Sequence, residues 1–273
     1  MPVALFVAAG NAFGIDGNAM RVAITRMRAH ALVEQDERGH YRLGPASGST
    51  MNRVASWRAI SGATRTWQGE WLAVHVGAVL KSDRAARRRT DRALAFFSFR
   101  EFSPGLLFRP DNLSARIDGV RDELLSLGAD ERFSCFRAGA LSARDEARAR
   151  ALWDVDVLLA GYENARRSMT ASRRKIERLD EEAAMVESFI TGGRVIRRLV
   201  LDPLLPDEIL SSTHRRRVAT DLRQYDQLGR KCWAPLLAAH GVRLKADPGR
   251  LGTANGLAAM NHQAATSSTA SQN

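Results

Sequence analysis

From position 18 to position 31 the apolar residues Met20, Ala23, Ile24, Met27 and Ala31 recur at the three- and four-residue spacing of one helix face. That stripe predicts an amphipathic helix, with Asp16 or Asn18 as its cap. A shorter apolar run at residues 5–9 predicts a helix before it, ending at Gly10-Asn11, and Gly14-Ile15-Asp16-Gly17 supplies the turn between the two. The pattern then shortens: residues 31–35 and 40–43 read as two strands around the turn-forming stretch 36–39. The order is helix, turn, helix, hairpin. On the polar side of the second helix Arg21, Thr25 and Arg28 stand at i, i+4 and i+7, with Arg26 at the flank and Asn18 at the start; Arg38, His40 and Arg42 belong to the hairpin. Such a unit can place its second helix in a DNA major groove and its hairpin, or wing, against phosphates.

Small residues at 44–50 predict a linker, followed by a helix over 51–60. After Trp67-Gln68-Gly69-Glu70-Trp71 comes an apolar strand over 72–80 and a basic helix over 84–95. Two strands within 96–108 follow, turning at Ser103-Pro104-Gly105, then an amphipathic helix over 113–127 and a closing strand over 133–136. The order βαββαβ is that of a ferredoxin-like sandwich. Beyond 142 the pattern is helical, with apolar stripes at Trp153, Val157, Leu158, Tyr162 and at Met185, Phe189, Ile196, Leu199. Pro203 and Pro206 interrupt it, and Asp207 is expected to cap the next helix. From Gly252 the composition shifts to small and polar residues, which predicts a disordered tail. The expectation is an α+β chain: a winged-helix domain over 1–46, a linker helix over 47–66, a ferredoxin-like domain over 67–140, a helical domain over 141–250 and a tail over 251–273.

Composition narrows what such a chain can do. Its 273 residues carry 41 Lys plus Arg against 30 Asp plus Glu, a net +11. That balance favours an anionic partner: nucleic acid, a phosphorylated ligand or an acidic surface. A 45% hydrophobic content excludes global disorder. Cys135 and Cys232 lie far apart with no CxxC spacing, so neither a disulfide framework nor a thiolate metal site is expected, and a reducing cytoplasm is the predicted location. No stretch reaches membrane-spanning length, and no membrane partner is expected. Phosphate-loop, dinucleotide, zinc-protease and nucleophile-elbow motifs are missing, and the six histidines are scattered. No catalytic residue, metal or cofactor is therefore assigned.

Residues 13–27 followed by Gly39-His40-Tyr41-Arg42-Leu43 resemble the winged-helix signature of PaaX-type repressors of phenylacetate-catabolic operons. Three further motifs agree. Trp67-Gln68-Gly69-Glu70-Trp71 is similar to the W-x-G-x-W segment of that family, and Phe102-Ser103-Pro104-Gly105-Leu106 with Arg109-Pro110-Asp111 to its following hairpin. Asp202-Pro203-Leu204-Leu205-Pro206-Asp207-Glu208-Ile209-Leu210 resembles its DP-x-LP-x-E-L-L segment. The resemblance covers roughly residues 5–240. It implies a homodimeric transcription repressor, released from double-stranded operator DNA by an aryl-acyl-coenzyme A, typically phenylacetyl-coenzyme A. Arg21, Thr25 and Arg26 would then face DNA and residues 39–42 would form the wing. In the family a helix precedes the one at Leu5, so the winged helix is expected to lack its first helix. Where the family carries Trp and Gly after the DP-x-LP segment, this chain has Ser211-Ser212-Thr213-His214-Arg215-Arg216-Arg217.

For such an effector, Arg84, Arg88 and Arg92, with Arg87 and Arg89, are a candidate phosphate clamp, and Trp71, with Trp67, Phe96 and Phe108, a candidate acyl wall. Two other readings compete. One is a metal-dependent nuclease on the ferredoxin-like domain, which also resembles the small endonuclease of CRISPR spacer acquisition; that resemblance implies a metal-binding Asp at the end of the first strand, from which Asp83 is displaced here. The other is a ligand-binding module without operator recognition.

Overall fold

The computed structural model describes residues 1–36, 39–47, 57–77 and 83–242. Helix α1 (Val3–Ala12) and helix α2 (Gly17–Ala29) are joined by a tight turn in which Gly14 takes φ +72°, a conformation that favours glycine. Of the two candidate caps, Asp16 begins α2: its carboxylate accepts the backbone N–H groups of Asn18 at 2.8 Å and Ala19 at 3.2 Å. Strands β1 (Val33–Gln35) and β2 (Tyr41–Leu43) follow as an antiparallel pair, Glu34 opposite Arg42. Met1 and Pro2 lie along the outer edge of β2, where Met1 exchanges two 2.7 Å hydrogen bonds with Tyr41.

A four-stranded sheet comes next, built from β3 (Trp71–His75), helix α3 (Arg84–Phe96), β4 (Arg100–Ser103), β5 (Leu106–Pro110), helix α4 (Ile117–Ser126) and β6 (Ser134–Ala138). The strand order is β4-β5-β3-β6 with every neighbouring pair antiparallel. β3 reads as an unbroken apolar run because it is buried on both faces. Leu72, Val74 and Val76 pack with Leu94, Phe97, Val120 and Leu124 of the α3/α4 side. Trp71 and Ala73 point the other way and share a core with Phe108, Trp153 and Tyr162.

The remaining elements are helical: α5 (Ala143–Arg150), α6 (Val155–Ile176), α7 (Glu181–Val200) and α8 (Ser212–Ala239), capped by Ser142, Asp154, Asp180 and Ser211. α6, α7 and α8 pack on one another around Met169, Val195, Leu199, Val218, Leu222 and Tyr225. The chain is thus a mixed α+β protein, with two small antiparallel sheets among the described residues. No helix among the described residues is long and apolar enough to cross a membrane.

Several sequence expectations need correction. Trp57–Gly62 is a 3-10 turn rather than the end of an α-helical linker, and Trp57 and Ile60 are buried in the same core as the C-terminal helices. Trp71 and Phe108 share that core with Trp153 and Tyr162, and residues 1–242 form one compact unit. Val157, placed on the apolar stripe of α6, is 62% exposed. Asp207 does not start the last helix; its carboxylate accepts the Ser212 N–H at 2.7 Å while Ser211 caps α8. Helix α4 begins at Ile117 rather than 113, because Leu113 pairs with Thr64 and the Ser114 N–H donates to the Ala63 carbonyl at 3.0 Å. The predicted helix start at 51–56, the strand end at 78–80 and the tail from 252 lie outside the described residues.

Candidate nucleic-acid interface

α2 buries Ile24 and half-buries Met20 and Met27, which turns Asn18, Arg21, Thr25, Arg26 and Arg28 to the exposed side. Their environments differ. Thr25 Oγ1 donates back to the Arg21 carbonyl at 3.0 Å, and Arg28 Nη1 donates to Gln35 Oε1 at 2.9 Å, tying the end of α2 to β1. Among the described residues neither Arg21 nor Arg26 has an ion-pair or hydrogen-bond partner for its guanidinium. On the hairpin Arg42 is bound to Glu34 directly across the strands, Nη2 to Oε2 at 2.9 Å, and the His40 ring lies 3.8 Å from Asp36 Oδ1. The structure therefore gathers helix and hairpin residues on adjoining surfaces and partly neutralises the hairpin. Arg38 lies outside the described residues.

The effector residues expected from the sequence are not brought together. Arg84, Arg88 and Arg92 line the exposed side of α3, whose buried side rests on Leu72 and Val74. Trp71, one residue from Leu72 along the strand, points to the opposite sheet face, because side chains alternate. It is fully buried, stacked on Trp153 with ring centroids 6.1 Å apart and planes 8° apart, and its indole N–H donates to Glu146 Oε2 at 2.9 Å. Asp83 spends its carboxylate as the cap of α3, accepting the Ala86 N–H at 2.9 Å. Among the described residues no group of three His, Cys, Asp or Glu side chains could hold a metal ion. Burial pushes the Cys135 thiol up to about 11, so it is protonated at neutral pH.

Two polar constructions were not singled out from the sequence. The loop between α7 and α8 is pinned by buried Asp202, which accepts from Tyr162 Oη at 2.6 Å and the Leu204 N–H at 2.8 Å and pairs with buried Arg215 at 3.3 Å. Burial, then the charge of Asp202, pushes the Tyr162 hydroxyl far up, keeping it protonated and donating. Beside it, Arg194, Arg197 and Arg198 line a cavity of about 290 Å³. Their i, i+3, i+4 spacing is a signal the sequence does carry.

A scan against protein-family models gives no match, and a search of the curated proteins gives none either. Among solved structures the chain is similar to the uncharacterized protein Rv0674 from Mycobacterium tuberculosis, with a TM-score of 0.57 and 22% sequence identity over 88% of this chain and 92% of that one. At that identity the likeness is one of fold.

Proposed function

We propose that the chain is a DNA-binding transcriptional repressor of an aromatic-acid catabolic operon, acting in the cytoplasm as a homodimer and released from its operator by an aryl-acyl-coenzyme A such as phenylacetyl-coenzyme A. In this reading residues 1–47 are a winged helix, β3 to β6 with α3 and α4 a ferredoxin-like sandwich, and α5 to α8 the helical C-terminal part. The observation that carries it is the exposed basic side of α2, with Arg21 and Arg26 unpaired among the described residues, set beside the β1–β2 hairpin. The four ordered sequence motifs supply the family and the effector.

The physics asks for two kinds of contact. Arg21 or Arg26 placed bidentate on a guanine contributes about 1–3 kcal/mol of discrimination. Hairpin cations add affinity that is blind to sequence and falls with salt. Two copies of α2 in a dimer would reach major grooves about one helical turn, or a multiple, apart. A ligand releases the protein only if it binds the DNA-free arrangement better.

The test is a mobility shift with the intergenic DNA upstream of the protein's own gene, at physiological salt with excess random competitor, with and without phenylacetyl-coenzyme A. Specific binding lost on adding the thioester is expected, and Arg21→Ala should weaken operator binding more than random-DNA binding. Equal binding to operator and random DNA would overturn the reading.

A further inference from the structure

The cavity between α6 and α7 is lined on one side by three arginines of a single helix face, Arg194, Arg197 and Arg198. Among the described residues none of their guanidinium groups has a hydrogen-bond or ion-pair partner, and Arg198 Nε is sealed from solvent with no acceptor. Three other arginines of α6 and α8 are paired: Arg166 holds Asp221 at 2.7 Å, Arg230 holds Asp226 at 3.1 Å and Arg215 holds Asp202 at 3.3 Å. Asp202 is the one carboxylate among the residues lining the cavity, and its oxygens are committed to Tyr162, Arg215 and the Leu204 N–H. Three cations therefore converge with no anion of their own, an arrangement that repels itself and that a bound oxyanion relieves.

Glycine at position 161 of α6 leaves room for the Arg198 guanidinium to lie across that helix, and a side chain there would displace the guanidinium. The rest of the wall is apolar, formed by Leu158, Leu201 and Pro203 with the ring of Tyr162. A volume of about 290 Å³ stands at the lower end of ligand pockets, which run from about 300 to 1,000 Å³. It suits a one-ring acid; a coenzyme A thioester would have to leave its nucleotide outside.

We propose that this cavity binds a small organic oxyanion, a carboxylate or phosphate monoester bearing one aromatic or short apolar group. The same helix carries Phe189, whose ring packs on Phe13 at the end of α1 with centroids 5.2 Å apart. Occupancy would therefore bear on the element that leads into α2. As a binding site the cavity stands without DNA; as the site of the releasing ligand it rests on the repressor reading.

Calorimetry on the full chain without DNA tests it, using benzoate and phenyl phosphate as probes, benzamide as the neutral isostere of benzoate and inorganic phosphate as the ring-free anion. One or both ring-bearing anions should bind and raise the melting temperature, benzamide should not, and inorganic phosphate should bind more weakly than phenyl phosphate. Arg198→Gln should weaken binding about tenfold or more. Arg194→Gln, at an exposed position that leaves the fold intact, should weaken it too, and Arg167→Gln on the outer side of α6 should not. Binding of benzamide equal to that of benzoate, no binding of either anion, or unchanged affinity in Arg194→Gln would overturn the proposal. Anion binding that depends on these arginines, in a chain showing no specific DNA binding, would uphold the cavity and overturn the repressor reading instead.

Discussion

Arg215 and Asp202 form a buried ion pair, Nη1 to Oδ1 at 3.3 Å, with side chains 6% and 1% exposed, and it closes the loop between α7 and α8. The pair is completed by the Tyr162 hydroxyl and the Leu204 N–H, so neither charge is left bare. Removing one partner strands the other. Arg215→Met should therefore destabilise the chain by about 3–5 kcal/mol in urea unfolding. The double variant Arg215→Met with Asp202→Asn should lose less than the two single losses added together. Additive losses would mean that the pair contributes nothing as a pair.

Trp71 is the next load on stability. It stacks on Trp153, meets Trp67 edge-on at 5.3 Å and stacks on Phe108 at 6.2 Å, with its N–H on Glu146. Trp71→Ala should cost about 3–5 kcal/mol, the range for emptying a large aromatic from a core. Trp71→Phe should cost less, yet leave ligand binding by the folded protein unchanged. Loss of ligand affinity at full stability would instead make Trp71 part of a binding wall.

Trp71 also marks how far residue types alone reach. The apolar run of β3 is written in the sequence, because burial selects apolar side chains at fixed periods, whereas of the stripe expected on α2 Ile24 is buried, Met20 and Met27 are half-buried and Ala23 and Ala31 are exposed. Thus the βαββαβ order, a cap at Asp16 or Asn18 and the exposed row Arg21, Thr25, Arg28 are legible in residue type and spacing, and the structure chooses Asp16. Which side of a sheet a tryptophan serves depends on what covers that side. The residues covering Trp71, at Glu146 and Trp153, lie more than seventy positions away. The same holds for the arginines: a spacing of i, i+3, i+4 announces a common face at 194–198, but only the fold sets Gly161 beneath it.

Glu34 opposite Arg42 carries the prediction for the hairpin. The exposed pair itself contributes little to stability, within about 1 kcal/mol. Its effect is on charge: Glu34 occupies the cation that would otherwise meet a phosphate. Glu34→Gln should raise affinity for random DNA and steepen the slope of log K against log salt by about 0.9, one added phosphate contact. Arg42→Gln in the same background should restore the original slope, and an unchanged slope in Glu34→Gln would place the hairpin away from DNA.

Acid should loosen the junction of α6 and α7 through Glu187. The Lys175 ammonium, 2.6 Å from Oε2, holds this carboxyl below the usual range, helped by the hydroxyls of Ser172 and Thr191. A carboxyl lowered in the folded state adds stability that is fully present above its unfolded value, about 4.3, and is lost as pH falls through the folded value. The urea midpoint should therefore drop more steeply in the parent chain than in Glu187→Gln as the pH is lowered below the unfolded value. Parallel slopes would remove Glu187 from the acid response.

Phe13 joins the N-terminal helices to the rest of the chain. Its ring meets Phe189 at 5.2 Å and Trp233 at 6.4 Å, and those two meet each other at 5.5 Å, a cluster contributed by α7, α8 and the end of α1. Phe189 is 57% exposed, so the cluster is a surface contact rather than part of the main core. Each aromatic pair is worth about 0.5–1.5 kcal/mol beyond the area it buries. Phe13→Ala should accordingly lower the free energy of local opening for residues 1–47 while leaving the slowest-exchanging amides around Trp71 untouched. Hydrogen exchange resolved by residue separates the two. A uniform loss of protection would show that residues 1–47 unfold only with the whole chain, and a ligand in the α7 cavity could then reach α2 only through global stability, not through this contact.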